Sequence, residues 1–150
     1  MPSARPRCAV TLGDCAGIGP ELVLRALASA ETADAAQLLV YGNLTVLKRV
    51  AEAAGLRLPD ALEVRSHSSA AASGLPPDRP VLFDFPSEAA AAIVPGKVQP
   101  SCGAFAYDWI CAAVTDIQRG YADALVTAPL NKAALHLAGL AFPGHTELLA

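Results

Sequence analysis

Three short stretches hold the residue types best suited to gripping a small anionic molecule. In Gly144-His145-Thr146-Glu147 an imidazole stands beside a hydroxyl, directly after Pro143-Gly144 turns the chain. Both groups can donate to phosphate or carboxylate oxygens. Gly13-Asp14-Cys15-Ala16-Gly17-Ile18-Gly19-Pro20-Glu21 is a glycine-punctuated loop running into a helix. Backbone N–H groups at a helix start lack partners, and glycine lets a ligand come close to them. Gly13, Gly17 and Gly19 are therefore candidate cofactor contacts, with Asp14 able to accept a hydrogen bond from a ligand hydroxyl. The loop is neither G-x-G-x-x-G nor a Walker A loop, and a tight strand-to-helix connection explains its spacing equally well. Thr127-Ala128-Pro129-Leu130-Asn131-Lys132 follows an apolar run and opens another helix. Asn131 and Lys132 are candidate substrate contacts in the same cleft, although Lys132 reads as readily as a solvated charge at a helix start.

The elements that must position these groups alternate between strand and helix. Cys8–Leu12 is a short apolar strand ending at Gly13. Pro20 is tolerated at the first helical position because its missing N–H needs no partner there, and Glu21 suits the positive end of the helix dipole. That helix is expected to run to about Ala30. Gln37–Tyr41 is a second strand, followed by Asn43 as an N-cap, and by Leu44, Leu47, Val50, Ala51 and Ala54 at helical spacing. Gly55 closes that helix as a left-handed cap. Leu62–Arg65 is a candidate strand, Ser66–Pro80 a surface loop, Val81–Phe85 a compact apolar strand, and Pro86–Pro100 irregular. Phe105, Trp109, Ala112, Ala113 and Ile117 share one face of a long helix closed by Gly120. Ala124–Ala128 reads as a buried strand, followed by a short helix through Leu137 and a stop at Gly139. This alternation predicts an α/β fold, a parallel-rich sheet with flanking helices.

Composition narrows the function classes. The chain has 150 residues, 53% of them apolar but only 5% aromatic, so the core must be built from Ala, Leu and Val. A net charge of -3 gives no basic field for nucleic acid. No stretch approaches the roughly 20 apolar residues of a membrane span. The apolar run after Arg7 is too short for a signal-peptide core, so a cytoplasmic location is expected. Cys8, Cys15, Cys102 and Cys111 form no C-x-x-C pair, which argues against a zinc knuckle or a thioredoxin-type motif. Reduced thiols are expected, with Cys8, Cys102 and Cys111 as small buried apolar groups. Glu147-Leu148-Leu149-Ala150 begins an apolar-faced helix, which suggests part of a longer polypeptide.

The glycine loop resembles the Gly-Asp-Gly-Ile-Gly-Pro-Glu opening of isocitrate and isopropylmalate dehydrogenases. It is more similar to the Gly-Asp-Pro-Ala-Gly-Ile-Gly-Pro-Glu of the 4-hydroxythreonine-4-phosphate dehydrogenase family of vitamin B6 biosynthesis. The spacing from Thr127–Lys132 to His145-Thr146 also matches that family. Cys15 stands where the family commonly has proline. A thiol near a helix start can have a lowered pKa, but no base accompanies it here, so neutral drift is favoured over a nucleophile, and a cysteine-dependent hydrolase is the weakest reading.

The resemblance runs from Cys8 to Ala150 and covers the N-terminal half of a family member. It implies an isocitrate/isopropylmalate dehydrogenase-like lobe of a two-lobe enzyme, with the second lobe absent from this sequence. It further implies NAD- (or NADP-) dependent oxidation, with decarboxylation, of 4-phosphooxy-L-threonine, and a homodimer at full length. His145 and Thr146 are implied to bind the phosphorylated substrate. A divalent metal (Zn, Mg, Mn or Co) is implied, with its histidine ligands downstream of Ala150. No catalytic residue or metal ligand is assigned within this chain. The alternatives are a dehydrogenase of 4-phospho-threonate or 4-phospho-erythronate, and a non-catalytic fragment that binds a phosphorylated ligand.

Overall fold

The computed structural model describes residues 5–68, 72–142 and 145–150. Five strands form one sheet: β1 (Arg7–Thr11), β2 (Gln37–Gly42), β3 (Glu63–Ser66), β4 (Val81–Asp84) and β5 (Ala124–Thr127). Their order is β3-β4-β2-β1-β5, and every pairing is parallel, with Ala9 beside Leu39 on one side and Leu125 on the other. Every residue of β2 is buried, as a central strand covered by helices on both faces requires. The expected α/β class and all four expected strands are present, β1 lying one residue earlier, β2 running one residue longer, and β4 and β5 each ending one residue sooner.

Among the described residues seven helices flank or follow the strands: α1 (Gly19–Ala28), α2 (Ala30–Ala35), α3 (Leu44–Ala54), α4 (Glu88–Ala91), α5 (Pro100–Gln118), α6 (Lys132–Leu137) and α7 (His145–Leu149). The Asn43 side chain accepts from the Val46 N–H at 3.0 Å, and Gly55 closes α3 at φ 64°. Gly120 and Gly139 also take positive φ. Among the described residues no helix is long and apolar enough to cross a membrane.

Several expectations need correction. The first helix stops at Ala28 because Ser29 starts a new one, its hydroxyl accepting from the Thr32 N–H. The irregular stretch contains α4, capped by the Ser87 hydroxyl. The long helix begins at Pro100, which occupies its first turn instead of a loop. β5 is an edge strand, and Val126 is 51% exposed: its apolar run is covered on fewer sides than a central strand's. Cys111 is exposed and Cys8 half-buried, against the expected burial, whereas Cys15 and Cys102 are buried.

One polar contact lies deep in the core. Asp116 of α5 is 3% exposed and accepts a 2.8 Å hydrogen bond from the Tyr41 hydroxyl of β2. Burial and the carboxylate beside it push the Tyr41 phenol well above its ordinary pKa. The bond ties the middle of the sheet to the longest helix, and periodicity alone did not mark Asp116.

Candidate functional site

The chain steps from β1 to β2 on one side and later returns to β5 on the other side of β1. The crevice past the carboxyl ends of β1 and β5 is thus the topological switch point, where open α/β sheets hold ligands. The glycine loop follows β1, and the Thr127–Lys132 segment follows β5. Structure brings the two together: the Asp14 N–H donates to the Pro129 carbonyl at 2.9 Å, and the Ala128 N–H to the Thr11 carbonyl at 3.1 Å.

The three loop glycines do different work. At Gly13 (φ +67°) a Cβ would lie 2.7 Å from the Ala128 carbonyl oxygen. At Gly19 it would collide with the Leu12 carbonyl. Both glycines are buried and let backbone pass against backbone. Gly17 is exposed, and a Cβ there meets only the flexible Asp14 carboxylate, at 3.2 Å. Asp14 Oδ1 accepts from the Ala16 N–H at 3.0 Å, which shapes the loop just before α1. Ile18, the residue capping α1, offers no side-chain bond to the helix. The amides there remain available to an anion.

Asn131 caps α6, its Oδ1 accepting from the Ala134 N–H at 3.0 Å, while Lys132 is exposed beside it. Arg49 of α3 is a residue that no motif announced. Its guanidinium donates to the Ile93 carbonyl at 2.9 Å and the Cys15 carbonyl at 3.3 Å. Among the described residues it pairs with no carboxylate, and it lines a groove of about 230 Å³ with Gly17, Glu21 and Pro95.

His145 and Thr146 are on a separate short helix. They open α7, whose Leu148 and Leu149 line a groove with Ile110, Cys111, Val114 and Thr115 of α5. Phe142 stacks on Tyr107 at 5.8 Å between ring centres, leading the chain along α5. His145 is half-buried, with Nε2 enclosed and unpartnered, and Thr146 is exposed. Among the described residues no hydrogen bond joins either one to Asn131, Lys132 or the glycine loop. Pro143 and Gly144 fall outside the described residues.

The histidines do not converge. His67 stacks on Phe85 at 4.2 Å, and burial lowers its pKa. His136 is exposed on α6. Among the described residues no histidine belongs to a group able to hold a metal, so this chain does not supply the histidine site that the resemblance implies. Burial first, then contact with Cys102, pushes the Cys15 thiol far above its ordinary pKa. That is opposite to what a helix-start nucleophile needs.

Comparison with known proteins agrees with this architecture. Residues 34–150 match the family model described as "Pyridoxal phosphate biosynthetic protein PdxA". The chain is 44% identical over 142 residues to a D-threonate 4-phosphate dehydrogenase of Salmonella typhimurium, covering 95% of this chain and 42% of that protein. It is 35% identical over 150 residues to a 4-hydroxythreonine-4-phosphate dehydrogenase of Geobacter metallireducens, covering 100% and 43%. A solved 4-hydroxythreonine-4-phosphate dehydrogenase from Burkholderia phymatum superposes with a TM-score of 0.82 at 33% identity, over 99% of this chain and 43% of that one. The chain therefore spans less than half the length of these relatives. With the family model matched over most of its residues and the switch-point fold in common, the chain belongs to the PdxA family.

Proposed function

We propose that the chain is the N-terminal α/β portion of a cytoplasmic, homodimeric, NAD- or NADP-dependent dehydrogenase acting on a four-carbon acid phosphorylated at C4. The family match over residues 34–150 carries this reading, and it points first to 4-phosphooxy-L-threonine as substrate. A bound nicotinamide would supply the acceptor for the hydride that leaves the C3–H bond, the C3 hydroxyl giving up its proton, and the protein would fix the orientation of the ring.

The part this chain plays is binding. The uncapped start of α1 presents backbone N–H groups to an anion beside the exposed Gly17, whose own N–H is held by the Asp14 carbonyl at 3.0 Å, and the Asp14 carboxylate offers an oxygen to a hydroxyl. Asn131 offers its side-chain N–H₂, since its Oδ1 caps α6, and Lys132 adds a positive charge. His145 and Thr146 hold the substrate phosphate as donors. On this reading the second lobe closes over α7 and completes the cleft around them. Among the described residues no histidine cluster is present to hold the catalytic metal that the resemblance implies.

A second reading has its own support. Relatives named D-threonate 4-phosphate dehydrogenase reach 44%, 43%, 39% and 41% identity, against 35% to 37% for three named for 4-hydroxythreonine-4-phosphate. The two substrates differ at C2, amino against hydroxyl. A side-by-side assay of NAD reduction tests both. The longer gene product is expected to turn over 4-phosphooxy-L-threonine, and the 150-residue chain to show no turnover with added zinc, magnesium or manganese. A higher kcat/KM on D-threonate 4-phosphate selects the second reading. Equal specific activity of chain and longer product overturns the partial-enzyme reading.

A further inference from the structure

We propose that Asp14, Cys15 and Cys102 form a binding site for one thiophilic divalent cation of the zinc class. The carboxylate of Asp14 and the two sulfurs lie within 4.8 Å of one another. A tetrahedral zinc with sulfur at about 2.3 Å has sulfur–sulfur edges of about 3.8 Å. Drawing the three donors onto one ion therefore needs at most about an ångström of movement. Both cysteines are 1% exposed, and Asp14 is half-buried beside the exposed Gly17, which leaves an approach from the loop side.

The donors come from two elements that nothing covalent joins. Cys15 lies in the glycine loop. Cys102 lies in the first turn of α5, where the helix dipole favours a negative charge. Backbone already fixes the surroundings: the Gly96 N–H donates to the Ala16 carbonyl at 2.7 Å, Arg49 grips the Cys15 carbonyl, and Ala16 N–H holds Asp14 Oδ1. Two soft thiols and one carboxylate suit zinc or cadmium better than magnesium or calcium, which prefer oxygen. Binding replaces two S–H bonds by two metal–sulfur bonds and releases two protons to solvent. The product carries two thiolates, one carboxylate and a fourth position for water. It pins the glycine loop to α5. The resemblance puts proline at position 15, so the site is a property of this chain, and it does not depend on the dehydrogenase reading.

The test uses the protein as expressed in full from its gene, reduced and stripped with a chelator, then titrated with Cd²⁺ and with Co²⁺. Sulfur-to-metal charge-transfer absorption is expected to saturate at one equivalent, with two protons released per cation. Cys15→Ser and Cys102→Ser are each expected to weaken Cd²⁺ binding by at least about tenfold, while Cys8→Ser and Cys111→Ser leave it unchanged. Absence of the absorption in the unmodified protein overturns the proposal, and that measurement needs no variant to fold. So does its survival in the Cys15→Ser/Cys102→Ser double variant, or isolation of a Cys15–Cys102 disulfide from freshly lysed cells in place of bound metal.

Discussion

The glycine loop and the His145-Thr146 segment, both proposed to offer donors to a ligand, are built in opposite ways. The loop is held by backbone: Gly13 and Gly19 lie against carbonyls of neighbouring segments, and Asp14 is bonded on both its main chain and its side chain. His145 and Thr146 open a helix of five residues with none buried, resting on the side of α5. The loop is thus held from several sides, whereas the His-Thr pair sits on a short unburied helix and, on the proposed reading, is a half-site. The difference teaches that two motifs equally legible in sequence can be fixed by the fold to very different degrees.

The largest effect should come from crowding the finished region. Gly19→Ala places a methyl group against the Leu12 carbonyl, and neither backbone segment can yield cheaply. A loss of about 2–4 kcal/mol in urea unfolding is expected. Gly17→Ala, where only the Asp14 carboxylate must move aside, is expected to cost under about 1 kcal/mol. Similar losses for the two would show that the loop is not held by close backbone approach.

Next in size is the bar that connects the regions, since α5 carries Cys102 near the loop and Ile110 and Thr115 near α7. Tyr41→Phe leaves the Asp116 carboxylate buried without its donor, at a cost of about 1–3 kcal/mol. Thermal unfolding of the variant measures it, and an unchanged midpoint would mean that another group satisfies Asp116.

The half-site predicts a split between stability and binding. His145→Ala and Thr146→Val should each change unfolding free energy by no more than about 0.5 kcal/mol. In the protein expressed in full from its gene, the proposed role predicts that the same changes weaken binding of the phosphorylated substrate by tenfold or more, read by calorimetry. Strong destabilisation with unaltered affinity would reverse the contrast between the two regions.

The smallest effect concerns His67. Burial lowers its pKa below the ordinary 6.5, so the folded state disfavours the charged ring. Its contribution is fully present above the unfolded pKa and is lost as pH falls through the lower folded value. Melting temperature should decline slightly from pH 7 towards 5, and His67→Phe should flatten that decline. A steeper decline in the variant would contradict the sign.

Much of this was legible in the residues themselves. The β1, β2, β4 and β5 runs, the Asn43 cap and the Gly55, Gly120 and Gly139 stops follow from preferences that act within a few neighbouring residues. So did the two ligand-type loops and the family they resemble. The partnership of those loops, the edge position of β5 and its exposed Val126 were decided by strand order, which local periodicity does not encode. Tertiary structure also joined Asp116 to Tyr41, set Arg49 beneath the glycine loop and brought Cys15 to Cys102. Each of these pairs residues far apart in the chain, and no local pattern marks them. Local signals report what a backbone segment prefers, whereas burial and contact depend on which other segment arrives beside it, and that is settled only when the sheet closes its order and the helices cover it.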